Sequence, residues 1–200
     1  MIFWPSLVED REVKRSGLRF LRGFGGGAPI VIAYAKKREL QALVADRRSV
    51  VAKIADRVGS GHAMLGYGVV LAILAARSGD PKLRAFVRRF ARAGAIGFAV
   101  FQASRFVLAE RRPKDGGEMR FFRTHGHGVS GHAFAAALLH GPIMSTWGPD
   151  LSRRDRALLS AAIYTWIAFI AWSRVRLDEH YVWNTMLGAR LGLRVSRAPR

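Results

Sequence analysis

Long stretches without a formal charge, cut by short arginine-rich connections, limit what this chain can fold into more than any other feature. They are Val58–Ala76, the interval from Arg92 to Glu110 broken only by Arg105, Thr124–Pro149, Ala157–Ser173, and the interval from Glu179 to Arg194 broken only by Arg190. Crossing bilayer hydrocarbon as a helix takes about 20 mostly apolar residues, with roughly 17 as the lower limit. The first four stretches meet or approach that length, and the fifth falls short. Buried helices of a soluble all-α protein share this description, but several stretches at the length limit favour membrane spans. Strand signals and internal repeats are missing. The expected fold class is all-α: an integral membrane helical bundle of five to six helices with an amphipathic N-terminal region.

The charge balance is lopsided, with 33 Lys+Arg against 14 Asp+Glu and a formal net charge of +19. Such a chain meets anionic partners: nucleic acid, phospholipid head groups or a phosphorylated substrate. Placement separates the three. A nucleic-acid binder gathers its basic residues on one soluble module, whereas here they alternate with apolar stretches, so membrane lipids are expected as partners and nucleic acid is not. The chain has no cysteine, which removes disulfide frameworks, thiolate zinc sites and cysteine nucleophiles.

Basic residues crowd alternate connections: Arg77 to Arg92, then Arg153, Arg154 and Arg156, then the tail with Arg194, Arg197 and Arg200. An up-and-down bundle puts these on one side, and the positive-inside rule makes that side cytoplasmic. Residues 110–123 and 174–179 then face outward, on the periplasmic side of a bacterial inner membrane. Residues 1–57 divide from the bundle at 58–200. Ala28–Ala35 is too short to cross. Residues 36–58 place Leu40, Leu43, Val44, Val50, Val51, Ile54 and Val58 at helical spacing. That amphipathic helix either lies flat on anionic lipid or packs on the bundle, and the same alternatives apply to residues 16–24. Gly25–Gly27 and Pro29 form a break. Glu9 and Asp10 follow Met1–Pro5 too closely for a cleavable signal peptide.

Three segments at outward ends of the stretches carry the chemistry. They are Arg105-Phe-Val-Leu-Ala-Glu-Arg-Arg112-Pro113, Val129-Ser130-Gly131-His132, and Ser173-Arg174-Val-Arg-Leu-Asp-Glu-His180-Tyr-Val-Trp-Asn184. An arginine inside an apolar span is costly, so Arg105 demands a partner or a function. Guanidinium groups suit phosphate oxygens. Ser130-Gly131-His132 opening an apolar helix aims free backbone N–H groups at an anion, with glycine allowing close approach. His180 and Asn184, four apart, are expected to share a helix face and hydrogen-bond. The sum is a phosphate pocket with two imidazoles, one able to attack phosphorus and one to protonate the leaving oxygen. No metal is needed for that chemistry.

These residues resemble the type 2 phosphatidic acid phosphatase and vanadium haloperoxidase superfamily over roughly residues 58–194. Its signature runs Lys-x6-Arg-Pro, Pro-Ser-Gly-His, Ser-Arg-x5-His-x3-Asp. Arg105 stands for the lysine, Arg112-Pro113 match, Val129 replaces the proline before Ser130-Gly131-His132, and Ser173-Arg174 and His180 match. Asn184 stands where the family has aspartate; its carbonyl oxygen can accept a hydrogen bond but lacks the charge. The resemblance implies that His180 is the nucleophile forming a phosphohistidine, that His132 is the general acid, and that Asn184 orients His180. Arg105, Arg112, Arg174, Ser130 and the Gly131 amide would hold the phosphate. It implies a membrane-bound, metal-independent hydrolase without cofactor, acting on a lipid phosphate or diphosphate. Two alternatives stand beside it: a soluble acid phosphatase or vanadate-dependent peroxidase, and a basic membrane protein of the same fold that has lost catalysis. An inert chain revived by Asn184→Asp would favour the last.

Blander readings apply to the remaining signals. Gly126-x-Gly128-x-x-Gly131 matches a dinucleotide fingerprint only formally, because no strand precedes it. His125, His127 and His132 lack a nearby carboxylate or cysteine to complete a metal site. His125 and His127 read as pocket rim or loop, and His62 and His140 as structural. Arg111, Lys114, Arg120 and Arg123 either attract an anionic head group or are simply solvated. The sequence leaves the lipid's identity and the oligomeric state open.

Overall fold

The computed structural model describes residues 27–124 and 126–197, so the expectations for residues 16–24, Met1–Pro5, His125 and Arg200 lie outside the described residues. In chain order the helices are α1 (Ala28–Ala35), α2 (Lys37–Val44), α3 (Val50–Val58), α4 (Gly61–Ser78), α5 (Pro81–Val107), α6 (Gly131–Leu138), α7 (His140–Thr146), α8 (Arg153–Arg176) and α9 (Val182–Ser196). Their starts are set by capping side chains, which satisfy otherwise orphaned first-turn amides. Ser49 accepts from Ala52 N, Ser60 from Ala63 N, Asp80 from Lys82 N, and Ser152 from Asp155 N. Pro81 opens α5 at a position where a missing N–H costs nothing. Among the described residues, extended pairing is limited to one isolated bridge, Leu108 with Phe121.

The all-α class agrees with expectation, and the helix limits refine it. The expected single helix over residues 36–58 is two helices. Ala45 is extended, and the Asp46 amide donates to Arg176 O at 2.6 Å, which turns the chain before Ser49 restarts it. Thr124–Pro149 is likewise not one helix. Residues 126–130 are irregular, and the helix kinks at Leu139, where Pro142 lacks the amide that would donate back to Leu138. Two helices are long and apolar enough to cross a membrane by length and composition, Gly61–Ser78 and Arg153–Arg176. The first is strongly exposed, with Leu65 at 71% and Val69 at 60%.

Packing centres on α6 and α9, buried between α8, α5 and α1. Tyr34 of α1 meets Trp183 of α9 edge-on at 5.3 Å. Ala52 and Ala55 of α3 are fully buried, so the N-terminal region packs on the bundle, while Leu43, Val50, Val51 and Ile54 face away from it. Helices α6 and α9 approach closely because α9 carries glycine at the contact. A Cβ on Gly188 would lie 2.6 Å from Ser130 O. Gly188→Ala ought to gain up to about 1 kcal/mol in helix propensity. It is expected instead to cost about 1–3 kcal/mol, because overpacking pushes Ser130 away. A thermal melt decides: a raised Tm would show that the two helices part freely.

Lys82 binds Asp150 at 2.8 Å, which joins the start of α5 to the turn before α8. The C-terminal end of α5, about 40 Å away along a helix of this length, carries Arg105. The three motifs therefore gather at the end of the bundle opposite the Lys82–Asp150 pair.

Candidate active site

Four pieces of chain meet at that end. Helix α5 delivers Arg105. The loop after it folds on itself through Ala109 N to Arg120 O at 2.9 Å and Arg111 N to Glu118 O at 2.8 Å, presenting Arg112 and Lys114. Helix α6 begins with Ser130 as its cap. Helix α8 ends with Arg174, and the short loop to α9 carries His180. That loop is held from outside. Asp178 sits at a left-handed φ of 61°, accepts from Gln41 Nε2 at 2.8 Å, and pairs with Arg47.

His180 is buried, and its amide donates to Arg174 O at 3.2 Å. Burial first, then the positive charge of Arg174 and the neighbouring His127, His132 and Arg112, hold its imidazole well below the ordinary histidine value. A neutral imidazole is the form that can attack phosphorus. If His180 is the nucleophile, the acidic limb of the pH–rate profile is expected well below about pH 6.5, the unperturbed histidine value. A limb at or above that value would contradict the burial. The sign for folding follows from the same depression. Below the ordinary value the unfolded chain binds the extra proton, so the stability contributed is present above that pH and is lost as pH falls below it.

Two carboxylates stand among the cations. Glu179 binds Arg112 Nη1 at 2.7 Å, Arg174 Nη2 at 3.4 Å, and Lys114. Burial alone would push the Glu179 carboxyl up, but the three cations outweigh it and hold it below the ordinary value. Asp56 of α3 pairs with Arg174 and lies 3.4 Å from His132 Nε2. These oxygens sit on the donors that a tetrahedral anion would use. His127 is half-buried; burial, then Arg112 and Arg105, push its imidazole down.

The remaining expected site residues divide. Arg105 donates through Nε to Gly126 O at 3.0 Å and lies over the Phe101 ring, bracing the loop before α6. Ser130 is fully buried, and its amide donates to Asn184 O at 3.2 Å. Gly131 has no room for a side chain, since a Cβ would lie 2.7 Å from Phe101 Cζ. Asn184 is turned elsewhere. Its Oδ1 accepts from Tyr181 N at 2.8 Å, and its Nδ2 donates to Glu110 Oε2 at 2.9 Å and to Gly128 O at 2.5 Å. His180 precedes α9 rather than lying on it, so the expected shared helix face with Asn184 does not form. Among the described residues, His180 is not a hydrogen-bond partner of Asn184.

Sequence reasoning missed Asp56, Glu110 and Lys37. Glu110 is 1% exposed and binds Lys37 Nζ at 2.5 Å. Burial raises its pKa, against the pull of Lys37. The available signal for Glu110 was a carboxylate inside the first motif. Nothing local marks Asp56 or Lys37. Among the described residues, no group of three or more His, Asp or Glu is arranged to hold a metal ion.

Residues 100–198 match the family model of the PAP2 superfamily. No curated protein and no solved structure matches the chain.

Proposed function

Since this chain belongs to the PAP2 superfamily through residues 100–198, a superfamily of phosphoesterases, we propose that it is a membrane-bound phosphatase acting on a lipid phosphate or diphosphate through a phosphohistidine. The observation that carries this reading is the gathering of Arg174, Arg112 and His132 around the buried His180. In the first step a ring nitrogen of His180 attacks phosphorus as the bond to the leaving oxygen breaks. His132 gives that oxygen its proton. Arg112, Arg174 and the first amides of α6 take the charge that develops on the equatorial oxygens. Water then attacks the phosphohistidine, His132 takes its proton, and inorganic phosphate leaves with His180 neutral again.

The lipid character of the substrate draws support from surface. Helix α4 exposes Leu65, Val69, Val70, Ile73 and Leu74, and α3 exposes Val50, Val51 and Ile54 next to Asp56. An acyl or prenyl tail would lie along such surface while the head group enters the basic pocket. The pocket would open outward, away from the arginine-rich connections.

The test is phosphate release from phosphatidic acid, a prenyl diphosphate and a water-soluble phosphomonoester. The lipid phosphates are expected to be turned over at least tenfold faster, with vanadate inhibiting and millimolar chelator leaving the rate unchanged. Vanadate competes because its trigonal-bipyramidal form copies the transition state. Equal rates on the soluble ester would remove the lipid reading, and loss of activity with chelator would remove the histidine mechanism.

A further inference from the structure

At the opposite end of the bundle from His180 lies a cavity of about 450 Å³ between α5, α7 and the last turn of α9. Its size falls in the range of small-molecule sites, about 300–1,000 Å³. Arg89 and Arg92 enter from α5, Arg197 from the end of α9, and His140 from α7. Three guanidinium groups around one cavity repel one another; water screens the exposed Arg92 and Arg197 in part, and an anion between the three would relieve the rest. Their neighbours supply none. Arg89 donates to the neutral Thr146 hydroxyl at 2.9 Å, and Arg197 contacts His140 and the Tyr164 hydroxyl. The Arg92 side chain makes no hydrogen bond or ion pair among the described residues. No carboxylate lines the cavity.

We propose that this cavity binds a phosphate-bearing anion, with the phosphodiester head group of an anionic membrane lipid as its source. Planar guanidinium forks match phosphate oxygens better than any other side chain does. The other wall is apolar, with Ile96 and Met144, and Ile96 is itself 41% exposed, so the cavity continues into open apolar surface. A charged head and an oily tail fit that division, and basic pockets between helices at a cytoplasmic face hold anionic lipid heads in this way. The site shares no residue with the phosphatase pocket and does not depend on it.

The experiment uses the full chain in detergent and reads lipid retention by native mass spectrometry. The probes are phosphatidylglycerol, a phosphodiester that a monoesterase does not cleave, and zwitterionic phosphatidylcholine. Phosphatidylglycerol is expected to bind about tenfold more tightly, and Arg92→Gln or Arg197→Gln to remove most of that preference. Arg92→Gln breaks no internal contact, so the fold survives it. Arg112→Gln in the phosphatase pocket and Arg153→Gln on exposed α8 are controls, expected to leave the preference intact. Failure of inorganic phosphate to compete supports the lipid source. Displacement by millimolar phosphate supports the same anion chemistry with a soluble source. Equal retention of the two lipids, or equal loss in the Arg153→Gln control, overturns the proposal.

Discussion

His180→Ala is expected to lower phosphate release from a lipid phosphate by at least about 10³-fold, because it removes the atom that would form the covalent intermediate. Folding should tolerate the change. His180 is held neutral in a buried setting, so its loss removes no ion pair, and a thermal melt within a few degrees of wild type would show this. Rapid acid-free quenching with labelled substrate should trap phosphohistidine in wild type and none in the variant. Residual activity within tenfold of wild type would move the nucleophile elsewhere, and half-buried His127, whose charge acts on His180, is the histidine to try next.

The second large effect concerns Asn184, and the structure reverses the expectation drawn from spacing. Restoring the family aspartate is expected to destabilise the protein by about 3–5 kcal/mol and to give no gain in activity. Both N–H groups of the Asn184 amide are spent, one on Glu110 and one on the Gly128 carbonyl. An aspartate would turn acceptor oxygen toward both, and it would bury a second negative charge against Glu110, which is itself 1% exposed. Pairing Asn184→Asp with Glu110→Gln supplies a donor where the repulsion arose and should recover part of the loss, the rest remaining because Lys37 loses its partner and the Gly128 carbonyl still faces an oxygen. A stable, more active single variant would show that the position still serves His180.

This case shows which parts of the protein can be read locally. Uncharged stretches between arginines located α4, α8 and α9 to within a few residues, because charge avoidance is a property of each stretch alone; for α5 they marked only the part after Arg92, since Lys82, Arg84, Arg88 and Arg89 lie in its first turns. The residues of each motif lie close together in the chain, so Arg112, Ser130, His132, Arg174 and His180 could be proposed as one site without a structure. Asn184 misled because the rule that pairs residues four apart holds on one continuous helix. Helix α9 starts at Val182, and an asparagine in its first turn reaches back to the Tyr181 amide instead. Asp56 with Arg174, and Lys37 with Glu110, are contacts between distant segments whose partners leave no periodic trace. Thr124–Pro149 hid its irregular beginning because Gly126 and Gly128, which look neutral in composition, press against the backbone of Arg105 and Leu108.

Glu179 also shapes how a catalytic cycle would finish. With three cations already sharing one tethered carboxylate, an arriving phosphate would replace one anion with another, so the local charge would change less than in a pocket without Glu179. Departure would run the same exchange backward: the carboxylate swings home to Arg112 and Lys114 and evicts the spent phosphate. A pocket of that kind would trade tight capture for quick release, and its own product would clog it less.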